Sequence, residues 1–179
     1  MTWVHSTNKL CLSRETHMKF VLFRHAQKGI TPFEDPELSL KGFEQSAQLV
    51  ELIKNKSLPV PTFLFISPKR RTSQTLYPIS KNYNLTPQLS DLLDQRRNDE
   101  SSLHFRQRVQ SFLNDLETRN SQEVVFACTH YDWLEEAMTL IHCDRDLNTF
   151  EFAHWAPTQF VVFQVENGIW KFVGKGNSK

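Results

Sequence analysis

Three short apolar runs, each breaking off in a charged or hydroxylated turn, constrain this 179-residue chain more than any other feature. Lys19-Phe-Val-Leu-Phe23 stops at Arg24-His25, Phe63-Leu-Phe-Ile66 stops at Ser67-Pro68, and Val124-Val-Phe-Ala-Cys128 stops at Thr129-His130. Runs of this length and character read as strands buried on both faces. Each then emerges at a polar surface, where chemistry can be done.

Helical patterns lie between and after these runs. Leu40 to Lys54, with Ser39 as N-cap, places Phe43, Ala47, Val50 and Ile53 or Lys54 at three- and four-residue steps. Lys69 to about Ile79 is a second helix, which Pro78 is expected to end or kink. Ser101 to Arg119 buries Phe105, Val109, Phe112, Leu113 and Leu116. Asp132 to about His142 buries Trp133, Leu134, Ala137, Met138 and Ile141. Phe160–Val165 and Ile169–Val173 flank Asn167-Gly168, the strongest two-residue hairpin signal. Strands alternating with helices imply an α/β fold, a three-layer α/β/α sandwich around a mostly parallel sheet. Ligands in such sheets bind beyond the carboxyl ends of the strands, the edge where Arg24-His25, Ser67 and His130 fall.

Composition narrows the partners. With 21 Lys and Arg against 20 Asp and Glu, the formal charge is +1, and no broad field calls for nucleic acid or an anionic membrane. No apolar stretch nears the ~20 residues of a membrane span. Three cysteines, Cys11, Cys128 and Cys143, form no CxxC pair and suit a reducing cytoplasm. Residues 1–17 read as a polar N-terminal extension without the apolar core of an export signal, and residues 18–179 as one domain. Asp94 to Ser102 is the most loop-like long segment and is placed to flank a site.

Two imidazoles and at least one guanidinium therefore converge on one edge. A phosphoryl group spreads charge over several oxygens, and arginine presents a planar fork of donors that holds two at once. At about 4 Å and an effective dielectric of ~20, each unit charge pair contributes on the order of 4 kcal/mol before desolvation. Two arginines then anchor one phosphate and leave a neutral imidazole free to attack it. Cys128 with His130, or His142 with Cys143, supplies too few convergent ligands for zinc, so no metal and no cofactor are expected.

Phe20-Val-Leu-Phe-Arg24-His25-Ala-Gln-Lys-Gly29 resembles the signature strand and turn of the histidine phosphatase, or phosphoglycerate mutase-like, superfamily. Four further stretches resemble its motifs in family order: Asp35 to Ala47, with Ser39, Gly42 and Gln45; Ser67-Pro68-Lys-Arg-Arg71-Thr-Ser-Gln74-Thr75; Glu100-Ser101 with Arg108-Val109 and Phe112-Leu113; and Val125 to His130. The resemblance implies a phosphate pocket of Arg24, Arg71 and His130, with His25 as the nucleophile that is transiently phosphorylated. Successive helical positions point about 100° apart, so Arg70 and Arg71 cannot both face the pocket equally, and the resemblance selects Arg71.

Departures from the pattern also matter. Ala26 stands where the family often has Gly, and Gln27 and Thr31 are the available substitutes for the turn residues that help hold phosphate. Tyr131, at the pocket mouth, replaces a usual Gly or Asn and is placed to narrow or select the substrate. The family's acid, a Glu two residues after a Leu, is matched in Leu89-Ser90-Asp91 by Asp91, with Asp94, Asp99 and Glu100 as competitors. The expectation is a phosphatase rather than a mutase, acting on a phosphomonoester or phosphoramidate carried by a small molecule or a phosphohistidine protein. The alternative is a phospho-ligand binding or regulatory domain with little turnover.

Overall fold

In a computed structural model, which describes residues 17–119 and 122–178, the three apolar runs become β1 (Met18–Arg24), β2 (Phe63–Ile66) and β4 (Val124–Thr129). A two-residue strand, β3 (Gln88–Leu89), and the hairpin β5 (Phe160–Glu166) and β6 (Ile169–Gly176) complete one six-stranded sheet. The strand order is β3-β2-β4-β1-β5-β6. The pairings among β1, β2, β3 and β4 are parallel, and β5 and β6 add on antiparallel. The hairpin turns at Asn167 and Gly168, with φ of 50° and 75°, the left-handed pair that a tight two-residue turn demands. The expected 1–17 extension lies outside the described residues except for His17.

Strand alternation sends successive side chains into two different cores. Phe20, Leu22, Val125, Ala127, Val161 and Phe163 pack against α3 (Ser102–Glu117) and α4 (Tyr131–Leu140). Val21, Phe23, Phe126, Cys128 and Val162 pack on the opposite face against α1 (Leu40–Lys54) and α2 (Arg70–Tyr83). The result is the expected three-layer α/β/α sandwich. The apolar stripes of α3 and α4 face the core as their spacing indicates.

Two helices differ from the sequence expectation. In α1 the buried face is Gly42, Ser46, Leu49, Val50 and Ile53, while Phe43 is 45% exposed and Ala47 faces solvent. The inward face thus includes small residues that let α1 approach its neighbours. A Cβ at Gly42 would stand 2.1 Å from the Gln27 carbonyl oxygen. Pro78 does not end α2, which runs on to Tyr83. Proline cannot donate to the carbonyl four residues back. That carbonyl, of Gln74, instead lies 3.0 Å from the Ser46 hydroxyl of α1, which is also 2.7 Å from Thr75 O.

Candidate active site

Parallel register brings the two histidines together. Arg24 of β1 pairs with Thr129 of β4, so the next residue on each strand, His25 and His130, leaves the sheet side by side. The His25 amide donates to Thr129 O at 2.9 Å, and the two imidazole centroids are 5.4 Å apart, close to the spacing of adjacent strands. Both rings are buried, at 6% and 2% exposure. β2 lies on the other side of β4, and its following residue, Ser67, places Oγ 2.7 Å from His130 Nε2.

Hydrogen bonding assigns the tautomers. His25 Nδ1 lies 2.7 Å from Ala26 O, a carbonyl that can only accept, so Nδ1 carries the proton and Nε2 the lone pair. Burial pushes the His25 pKa down to about 3, with the Arg71 and Arg24 cations acting in the same direction and the Ala26 contact against it. His25 is therefore a neutral imidazole near pH 7. His130 Nδ1 accepts from Arg71 Nη2 at 3.1 Å, so its Nε2 holds the proton and donates to Ser67. Burial, then Arg71, holds His130 well below the ordinary imidazole range.

Arg71, the second residue of α2, is 3% exposed, whereas the Arg70 side chain is 58% exposed and pairs with Glu37 at 3.0 Å. Arg71 Nη2 also donates to Gln95 Oε1 at 2.6 Å, and Nη1 lies 3.5 Å from Asp35 Oδ1. Arg24 donates through Nη1 to the Trp155 carbonyl, and its guanidinium lies 5.2 Å from the Tyr131 ring centroid. The Nε atoms of Arg24 and Arg71 are buried without a hydrogen-bond partner among the described residues.

The turn carrying His25 is fixed by neighbours rather than by glycine. Ala26 N donates to Thr75 Oγ1 at 2.9 Å, Gln27 N donates to Gln45 Oε1 at 2.9 Å, and Gln27 O accepts from Ser39 N at 2.9 Å. Gln74 Oε1 receives Leu38 N at 2.9 Å. Ser39, Gln45, Gln74 and Thr75 of the sequence motifs thus hold the loop rather than the ligand. Gln27 and Thr31 have exposed side chains, and Gln27 contributes through its backbone. Tyr131 is half-buried, supports the Arg24 guanidinium and donates its hydroxyl to Ala153 O at 3.0 Å.

Asp91 is not the carboxylate that the fold brings to the histidines. It opens a short 3₁₀ turn (Asp91–Leu93) with its side chain exposed. Trp133 Nε1 donates to Leu92 O at 2.8 Å and Thr129 Oγ1 to Leu93 O at 2.7 Å, which turns Leu93 into the core. The next residue, Asp94, is then 7% exposed, with Oδ1 3.9 Å from His130 Nε2. Among the other competitors, Asp99 is exposed and Glu100 is bound to Arg108. Ser67, Asp35 and Gln95 are site residues that sequence reasoning missed. Ser67 and Asp35 stand inside quoted motifs without a role assigned to them there, and Gln95 has no local signature.

The profile of the histidine phosphatase superfamily (branch 1) matches residues 20–100 and 90–178, and the chain belongs to that superfamily. A search of curated proteins finds no match. Solved structures share the fold. The protein histidine phosphatase SixA complexed with tungstate aligns at TM-score 0.71 and 14% identity, over 90% of this chain and 97% of that one. A phosphoserine phosphatase mutant from Entamoeba histolytica in complex with phosphoserine aligns at 0.69 and 14%, over 90% and 98%. Mycobacterial hydrolase 1 aligns at 0.69 and 12%, over 91% and 100%. Family and fold together support a phosphohydrolase. Among the described residues no helix is long and apolar enough to cross a membrane.

Proposed function

We propose that this protein is a phosphatase that hydrolyses a phosphomonoester or phosphoramidate through a phosphohistidine on His25. The observation that carries the reading is the paired imidazoles 5.4 Å apart, with the His25 proton committed to Ala26 O. The Nε2 lone pair attacks phosphorus as the bond from phosphorus to the leaving group breaks. Arg24, Arg71 and the His130 Nε2–H meet the charge on the equatorial oxygens, an arrangement set before the reaction begins. A phosphoryl oxygen competes with Ser67 Oγ for that His130 proton.

Asp94 serves as the acid in this scheme. After its carboxylate takes up a proton from solvent, Asp94 passes that proton to the departing oxygen or nitrogen, and the carboxylate then takes a proton from the water that attacks phosphorus. The P–Nε2 bond breaks, releasing inorganic phosphate and neutral His25. Both steps use protein groups and water alone. A phosphorylated small molecule and a phosphohistidine protein both present the group this pocket suits. We infer a reducing, cytoplasmic setting, supported by the free thiols of Cys128 and Cys143.

The test is hydrolysis of 4-nitrophenyl phosphate in the presence of a chelator by the wild type and His25→Ala, with 31P detection of an acid-labile phosphoenzyme. Turnover in the wild type, with both turnover and phosphoenzyme lost in the variant, is expected. Phosphate binding without turnover on a panel of phosphorylated metabolites and a phosphohistidine protein would favour the binding-domain alternative. Chelator sensitivity would count against the scheme.

A further inference from the structure

One side chain outside the pocket makes an unusual set of contacts. Arg108, on α3, uses Nη1 to reach Asp91 O at 3.3 Å, Leu92 O at 3.1 Å and Asp94 O at 2.7 Å, and Nη2 to reach Gln95 O at 3.1 Å. Its remaining donors form a bidentate pair with Glu100, Nε to Oε1 at 2.8 Å and Nη2 to Oε2 at 2.7 Å. Both side chains are about nine-tenths buried. The hydrogen bond from Arg108 holds the Glu100 carboxyl below its ordinary pKa.

Two of the four carbonyls gathered in this way belong to Asp94 and Gln95. The Asp94 carboxylate is the one beside His130, and the Gln95 amide oxygen is the 2.6 Å partner of Arg71. Resting on the phosphatase reading of the site, we infer that Arg108 and Glu100 are positioning residues. They hold the backbone of residues 91–95 so that the acid reaches the leaving group and Arg71 keeps its orientation. The physical requirement is the planar fork. Only a guanidinium can serve a carboxylate in parallel while its outer edge takes up carbonyls, and lysine keeps the charge without that geometry.

Displacement of a catalytic group by about an ångström costs as much as 100-fold in rate. The experiment compares wild type, Arg108→Lys, Asp94→Asn and the double variant on 4-nitrophenyl phosphate, which leaves without help, and on 2-glycerophosphate, whose alkoxide needs a proton. Glu100→Gln serves as the milder second variant. Far-UV dichroism and thermal unfolding confirm that each is folded. Arg108→Lys is expected to lose about 10- to 100-fold in kcat on 2-glycerophosphate, several times its loss on 4-nitrophenyl phosphate. In the Asp94→Asn background it changes that ratio no further, because the two residues act in series.

Equal losses on both substrates, or additive effects in the cycle, would overturn the inference. If the wild type hydrolyses neither substrate, the phosphatase reading fails on its own. The positioning role is then decided by the calorimetric Kd for inorganic phosphate. Weakening in Arg108→Lys and Glu100→Gln through Gln95 and Arg71 supports it, and an unchanged Kd refutes it.

Discussion

The two walls of the pocket are built on opposite principles. On the α2 side, Ser67, Arg71, Gln74 and Thr75 act through their side chains: the first two meet His130, Thr75 meets the Ala26 amide of the His25 turn, and Gln74 meets the Leu38 amide just before α1. On the other side, the segment from Asp91 to Gln95 is held by its carbonyls, which Arg108, Trp133 and Thr129 collect. The first wall depends on the identity of the residues in it. The second depends also on the residues that reach toward its backbone, which set where the side chains of Asp94 and Gln95 come to lie.

The contrast predicts where substitutions act. Replacing Arg71 by Lys removes the fork that serves His130 and Gln95 together. kcat/KM for 4-nitrophenyl phosphate is expected to fall about 10²- to 10³-fold. A loss under about threefold would show that the first wall does not depend on side-chain identity.

On the second wall, Asp94→Asn is expected to cost about 10²-fold on 2-glycerophosphate and far less on 4-nitrophenyl phosphate. Asp91→Asn, on an exposed residue of the same turn, is expected to stay within about twofold on both. The reverse ranking would return the acid to Asp91.

Acidification probes the buried imidazoles. The native state holds His25 neutral down to about pH 3, whereas the unfolded chain takes up the proton near the ordinary imidazole value of ~6.5. Stability is therefore fully present above that value. It is lost as pH falls from ~6.5 toward about 3, by up to ~1.4 kcal/mol per pH unit for His25, with His130 acting in the same direction. Urea unfolding between pH 7.5 and 5 is expected to show this slope, and His25→Ala to reduce it. An unchanged slope in the variant would mean that His25 titrates as it does in the unfolded chain.

The smallest effect is on the first wall. Ser67→Ala strips the acceptor from His130 Nε2–H inside the protein, at a cost of ~1–3 kcal/mol and a few degrees in Tm. Activity is expected to fall less than in Arg71→Lys, since the arginine still holds the His130 ring through Nδ1.

The fold was legible because its signals are periodic and short in range. The apolar runs became β1, β2 and β4, and the Asn167-Gly168 pair turned the hairpin. The stripes on α3 and α4 buried the residues their spacing marks. The apolar stripe of α1 misled because its inward face rests on Gly42 and Ser46, whose value is smallness and a hydroxyl, and a hydrophobic count sees neither. Pro78 misled for a related reason: the hydroxyl that reaches the freed carbonyl comes from another helix.

Of the site, the residues at the ends of strands were readable, since a strand's last residue and its polar successor are adjacent in sequence. Sequence alone thus determined the alternation of layers, the edge at which chemistry gathers, and the chemical types gathered there: two imidazoles, two guanidiniums and a choice of carboxylates. Only the tertiary structure decided that Asp94 lies beside His130 and Asp35 beside Arg71, and which atoms of each ring carry protons. It also decided that Tyr131 supports an arginine. Those outcomes turn on carbonyl acceptors and on contacts made from distant elements. Every residue has a carbonyl, so no side-chain pattern reveals which ones will be taken.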